Sequence, residues 1–141
     1  VAGQFLLFAA LIALSLRYPG TGPVACRGAG VGALIAAASI AVAGAKVLGR
    51  NLTPFPKPAD HAKLVQHGIY ARIRHPLYTA VILAGFGWAL LWLSWPAAVV
   101  AVALIPFLHA KSCREEGLLH RKFPDYREYE TRTNRFIPNL Y

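Results

Sequence analysis

Thirty-six consecutive residues, His75 to Ala110, contain no Asp, Glu, Lys or Arg. One membrane-crossing helix takes about 20 apolar residues, so this run is too long for a single crossing. Ser94-Trp95-Pro96 interrupts it, and Pro suits the first turn of a helix. The run therefore predicts a helical hairpin: one helix from about Leu77 to Leu93, a tight turn, and a second from Pro96 to about Ala110. Each leg is short enough to tilt or sit shallowly. Trp88, Trp92 and Trp95 near the turn suit an interfacial belt. A hairpin buried in a soluble core is the alternative, and the flanking charge weighs against it.

Two further uncharged runs precede it, Val1 to Leu16 and Gly28 to Ala45. The first is marginal for a span and invites comparison with a signal peptide, but it lacks a basic leader and a small-residue cleavage site. The chain has no Met, from which we expect the first helix to continue N-terminal of Val1. Of the 141 residues, 56% are hydrophobic and 15% charged, against about 25% charged in an ordinary soluble domain. Mean hydropathy is +0.43. The net charge of +9 would suggest nucleic acid in a soluble protein. In so apolar a chain it points instead to basic segments facing anionic lipid headgroups.

The basic residues also orient the chain. Lys46 to Arg74 holds six Lys or Arg against one acid, and Lys111 to Tyr141 holds seven against five. The loop from Arg17 to Arg27 has two, and the hairpin turn has none. By the positive-inside rule both rich segments are cytoplasmic, and the helix parity agrees. The expected fold is an all-α integral membrane domain with about four transmembrane helices, a cytoplasmic loop and a C-terminal helix. Residues 1–47 would supply the N-terminal membrane helices and 48–141 the catalytic part. Gly28, Gly30, Gly32, Ala33, Ala36, Ala37 and Gly44 fit close helix packing better than a dinucleotide loop, since no strand precedes them. Cys26 and Cys113 form neither a metal spacing nor a disulfide framework.

The chemistry-bearing residues gather in the two basic segments. Asn51 to Pro58 carries three prolines and reads as an extended strap. After it come Leu64-Val65, Gly68-Ile69-Tyr70 and Arg74-His75-Pro76-Leu77-Tyr78. Gly68 allows a tight turn, and Pro76 opens a helix whose free amides suit a carboxylate. A juxtamembrane anchor of Arg and Tyr is the plainer reading of this segment. Farther on, Lys111 and Glu115 share a helix face at i,i+4 where the membrane helix emerges, while Glu116, one position round, is expected to be solvated. Pro124 begins a fresh helix with Tyr126 and Tyr129 on one face, expected to end at Phe136-Ile137-Pro138.

In order, Leu64-Val65, Gly68-x-Tyr70, Arg74-His75-Pro76-x-Tyr78, Glu115-Glu116-x-x-Leu119-x-x-x-Phe123, Tyr126-x-x-Tyr129 and Ile137-Pro138 resemble the isoprenylcysteine carboxyl methyltransferase family. More broadly they resemble its bacterial and phospholipid-methylating relatives. The likeness runs from about Leu48 to the C-terminus, and it rests on the combination of motifs more than on any one. It implies an integral, multi-pass membrane enzyme, with a cytoplasmic active site in a bacterial inner membrane, that uses S-adenosylmethionine on a lipophilic or lipid-linked substrate. It also implies cofactor contacts at Leu64, Val65, Tyr70, His75, Tyr78 and Glu115, with Lys111, Glu115 and Arg74 as the catalytic set. Neither a metal nor nucleic acid is implied. Lys111 stands where the eukaryotic enzymes carry an Arg, and it offers a point charge without the bidentate fork. Phe123-Pro124 replaces a frequent Phe-Gly.

Elementary chemistry runs the same way. Arg74, His75 and a helix N-terminus suit the cofactor's carboxylate, Glu115 its ammonium, and the tyrosines its adenine. Membrane sterol reductases share a related Arg-His-Pro and tail pattern and use a nicotinamide cofactor. Their tail carries Arg-Asp and Cys in place of the Glu pair. A non-enzymatic membrane protein with a degenerate site is the other alternative.

Overall fold

The computed structural model describes residues 2–49 and 63–138. The proline strap expected at Asn51 to Pro58 lies outside the described residues. Among the described residues five α-helices follow one another: α1 (Ala2–Arg17), α2 (Val24–Leu48), α3 (Pro76–Trp92), α4 (Trp95–Lys122) and α5 (Tyr126–Arg132). A 3-10 turn, Gly68–Ala71, sits between α2 and α3. Among the described residues there is no strand, only an isolated parallel bridge between Ile73 and Asn134.

The first four helices run alternately up and down. The Trp88 indole Nε1 donates to Ser15 Oγ at 2.9 Å, which joins the end of α1 to the end of α3. Lys111 Nζ donates to Gln4 Oε1 at 2.9 Å, which joins the start of α1 to the later part of α4. Between α2 and α3 the backbones nearly touch. A Cβ on Gly30 would lie 2.6 Å from Leu91 N and 2.7 Å from Gly87 O. At the other end of the same contact, one on Gly44 would lie 3.1 Å from Leu77 Cδ2. The small residues of α2 thus pack as expected at Gly30, Ala37 and Gly44, which are buried, whereas Gly28 and Gly32 face open space.

The hairpin turn forms as read, with Leu93 in the left-handed region at φ 52° and the Ser94 hydroxyl capping α4. The second leg does not stop near Ala110. It continues unbroken to Lys122, because the charged stretch after Ala110 holds no breaker stronger than the exposed Gly117. The C-terminal helix is shorter than expected: α5 ends at Arg132, and residues 133–138 fold back without helix.

Ala97, Ala101, Leu104 and Leu108 form one fully buried stripe on α4, packed against Leu11 of α1 and Ala89 of α3. The outer faces are apolar too. Phe5, Leu6, Ile12 and Leu16 of α1, Val31 and Ile35 of α2, and Val99 and Val102 of α4 are all exposed. Two helices, α2 and α4, are long and apolar enough to cross a membrane, and α1 and α3 are shorter apolar helices. A bundle that exposes hydrocarbon on three helices suits lipid as its surroundings.

Candidate active site

At one end of the bundle the starts of α1 and α3 meet α4 just beyond its apolar part. Pro76 at the first position of α3 fixes the helix entry, and His75, one residue before it, is 5% exposed. Gly68, at φ 61°, makes the turn that brings Tyr70 inward; a Cβ there would come 2.8 Å from Val47 Cγ2.

Two clusters share this end. In the first, Tyr78 is central. Its hydroxyl donates to Glu115 Oε2 at 2.7 Å, its ring stacks on the His75 imidazole at 5.3 Å, and the Lys111 ammonium lies 5.0 Å from its centroid. His75 Nδ1 is 3.8 Å from the same Glu115 oxygen. Tyr70 belongs to this neighbourhood: burial pushes its hydroxyl well above the usual phenol range, and the Glu115 charge adds to the effect. Leu64 and Val65 are half-buried on the segment leading into the Gly68 turn. The sequence-predicted residues Tyr70, His75, Tyr78, Lys111 and Glu115 are therefore brought together.

The second cluster is a clamp around Glu116. The expectation that Glu116 is solvated is wrong, for it is 4% exposed. Arg74 Nε donates to its Oε1 at 2.9 Å, His75 Nε2 lies 3.0 Å from the same oxygen, and Arg135 reaches both oxygens. A carboxylate only accepts, so in this contact His75 Nε2 is the donor. Burial alone would raise the Glu116 carboxyl, but the bonds from His75, Arg135 and Arg74 outweigh it and hold it down at about 2. Glu116 is buried because it answers to groups arriving from elsewhere in the chain, Arg74, His75 and Arg135, and not to its own helix face.

Arg74 is spent on this clamp. Besides Glu116, its Nη1 donates to the carbonyls of Glu130 at 3.0 Å and Thr133 at 2.5 Å. Its side chain is 9% exposed, so it organises the site more than it offers a free guanidinium to a ligand. The backbone tightens the same joint: Arg74 N donates to Asn134 O at 2.8 Å and His75 N to Arg135 O at 3.1 Å. Tyr129 adds a hydroxyl bond to Tyr70 O at 2.7 Å. Burial pushes that hydroxyl up to about 12.

The sequence model of the phospholipid methyltransferase family matches residues 26–126. The chain belongs to the phospholipid methyltransferase family. The matched region holds every member of the Tyr78 cluster together with Arg74 and Glu116, while α1 and the tail after Tyr126 lie outside it. This family member is also 38% identical over 80 residues to the nickel-cobalt-cadmium resistance protein NccN of Alcaligenes xylosoxydans xylosoxydans. That alignment covers 55% of the present chain and 37% of NccN, so the chain spans well under two thirds of that relative's length.

Sequence reasoning missed four contributors: Gln4, Glu116, Thr133 and Arg135. Gln4 was visible as a polar residue in an uncharged helix, and Arg135 as a charge beside Ile137-Pro138. Neither carries a spacing that names its partner.

Proposed function

We propose that this chain transfers a methyl group from S-adenosylmethionine to a lipophilic or lipid-linked acceptor at the cytoplasmic face of a bacterial inner membrane. In this reading all four long helices cross the bilayer, α1 and α3 by local thinning or protein burial. The observation that carries it is the state of Glu115. Its side chain is 29% exposed, its Oε2 takes the Tyr78 hydroxyl, and among the described residues its Oε1 has no hydrogen-bond partner. A carboxylate with one oxygen open, beside aromatic faces, fits an α-ammonium group next to an adenosyl moiety.

Bound here, the cofactor would supply an electrophilic methyl group on a sulfonium sulfur. Glu115 would hold its ammonium. Tyr70, Tyr78, His75, Leu64 and Val65 would enclose its apolar and ring portions. Arg74, committed to Glu116, would keep His75 and the start of α3 in place. Lys111 would meet the polar end of the acceptor. Methyl displacement asks the protein for orientation and exclusion of water more than for an obligatory base. An acceptor of the isoprenylcysteine type suits the apolar flanks of the site, since it can enter sideways from lipid between helices.

Binding of labelled S-adenosylmethionine and of NADPH to the detergent-purified protein tests the reading. Saturable binding of the former supports it. Binding of NADPH alone overturns it in favour of a reductase.

A further inference from the structure

Lys111 and Glu115 occupy one face of α4. His109, Cys113 and Glu116 follow one another at helical spacing on another. Arg135 of the tail touches all three. Its Nε and Nη2 hold Glu116. Its Nη1 donates to Cys113 Sγ at 3.3 Å and to His109 Nδ1 at 3.4 Å. A guanidinium only donates, so His109 Nδ1 accepts in that contact and the ring carries its proton on Nε2. Nε2 in turn lies 3.5 Å from the same sulfur. Two N–H groups, one from α4 and one from the tail, therefore converge on a single thiol, and Cys113 is exposed.

Thiol–disulfide exchange runs through the thiolate, and neighbouring cations and N–H donors support that form. The anion attacks one sulfur of a small disulfide. A mixed disulfide forms at Cys113 and the other half leaves as a thiolate, so the small disulfide is the oxidant and no further reactant is needed. The product sulfur is uncharged and carries a substituent beside Arg135 Nη1. The guanidinium is one rigid plane shared between this sulfur and the Glu116 carboxylate, so crowding at the first edge displaces the second. The tail backbone carries the disturbance on, because Arg74 N donates to Asn134 O at 2.8 Å and His75 N to Arg135 O at 3.1 Å.

We propose that Cys113 is a site of reversible modification by small disulfides, and that the mixed disulfide loosens the hold of the tail on Glu116. His109 and Arg135 prepare the thiol, and Arg135 couples it to the clamp. The inference stands apart from the methyltransferase reading, since it uses neither a cofactor nor a methyl acceptor.

Exchange with bis(hydroxyethyl) disulfide, a neutral water-soluble probe, tests this on the whole chain in a neutral maltoside detergent. The chain has two cysteines, so Cys26→Ser leaves Cys113 as the single thiol. Mass spectrometry follows the gain of one adduct with time and its removal by dithiothreitol. His109→Leu in the same background takes away the Nε2 donor and should slow adduct formation severalfold, the scale of one hydrogen bond. Amide exchange reads the link to the clamp and needs no second variant. The Arg74 and His75 amides, which end on tail carbonyls, should exchange severalfold faster in the adduct and recover on reduction, while amides in α2 stay unchanged. Failure of Cys113 to form the adduct, or equal rates with and without His109, overturns the modification site. An adduct with unaltered exchange at Arg74 and His75 overturns the coupling.

Discussion

Arg74 and Glu116 meet at 2.9 Å, Nε to Oε1, with side-chain exposures of 9% and 5%. The pair joins the residue two positions before α3 to the charged extension of α4, and Arg135 closes on the same carboxylate from the tail. Each of the two adjacent glutamates therefore has its own neighbours, Glu116 the guanidinium groups and Glu115 the Tyr78 hydroxyl.

That division separates two substitutions. Glu116→Gln leaves Arg74 and Arg135 without their counter-charge, and breaking a buried ion pair costs about 3–5 kcal/mol. It should lower the thermal midpoint in detergent with or without ligand. Glu115→Gln should leave the midpoint nearly unchanged and weaken S-adenosylmethionine roughly 10- to 150-fold, the equivalent of a charged hydrogen bond. Calorimetry and thermal scans on both variants decide it; interchanged effects would reverse the assignment.

The low Glu116 carboxyl also predicts a pH dependence. A carboxyl near 2 when folded, against 4.5 for the free group, binds its proton more readily in the unfolded chain. Its stabilisation is complete above about 4.5 and disappears as pH falls toward 2. The wild-type thermal midpoint should therefore drop across that window more steeply than that of Glu116→Gln. Parallel profiles for the two proteins would show that Glu116 is not the titrating group.

Gly30 predicts a steric effect. Its missing Cβ would lie 2.6 Å from Leu91 N and 2.7 Å from Gly87 O, backbone atoms that cannot swing aside. Gly30→Leu should cost more than the ~1–3 kcal/mol of ordinary overpacking and separate α2 from α3. Gly32→Leu, on the open side of the same helix, should be tolerated. Protease resistance of the two variants in detergent would show the contrast, and equal sensitivity would contradict it.

Tyr129→Phe removes the hydroxyl that donates to Tyr70 O at 2.7 Å and leaves that carbonyl without this donor. A cost of about 1 kcal/mol in stability is expected. Amide exchange around residues 68–71 should quicken, while exchange in α2 should stay as in the wild type.

How much could be read in advance follows from the range of each signal. The absence of charge over His75 to Ala110 is a local property, and it gave the hairpin because hydrocarbon compatibility depends on composition alone. The end of α4 was misplaced because charge begins at Lys111 while helical backbone continues to Lys122; solvent exposure changes there and conformation does not. Glu116 was misread because i,i+4 spacing speaks only for a single helix, and its partners Arg74 and Arg135 are 42 and 19 positions away. Gln4 was overlooked for the same reason, its contact with Lys111 spanning 107 positions. The His75, Tyr78 and Glu115 grouping was legible only through family likeness, since no periodicity links the start of one helix to the far end of another.

The clamp has a consequence for the order of assembly. The four long helices are complete once residue 122 has been made, and they can pack on one another from then on. Arg74 gains its carbonyl partners only when Glu130 and Thr133 exist, and Glu116 gains its second guanidinium only with Arg135. During synthesis the bundle is therefore laid down first as a scaffold without a finished site. Residues 130 to 135 convert it, so the site is finished after the bundle that carries it.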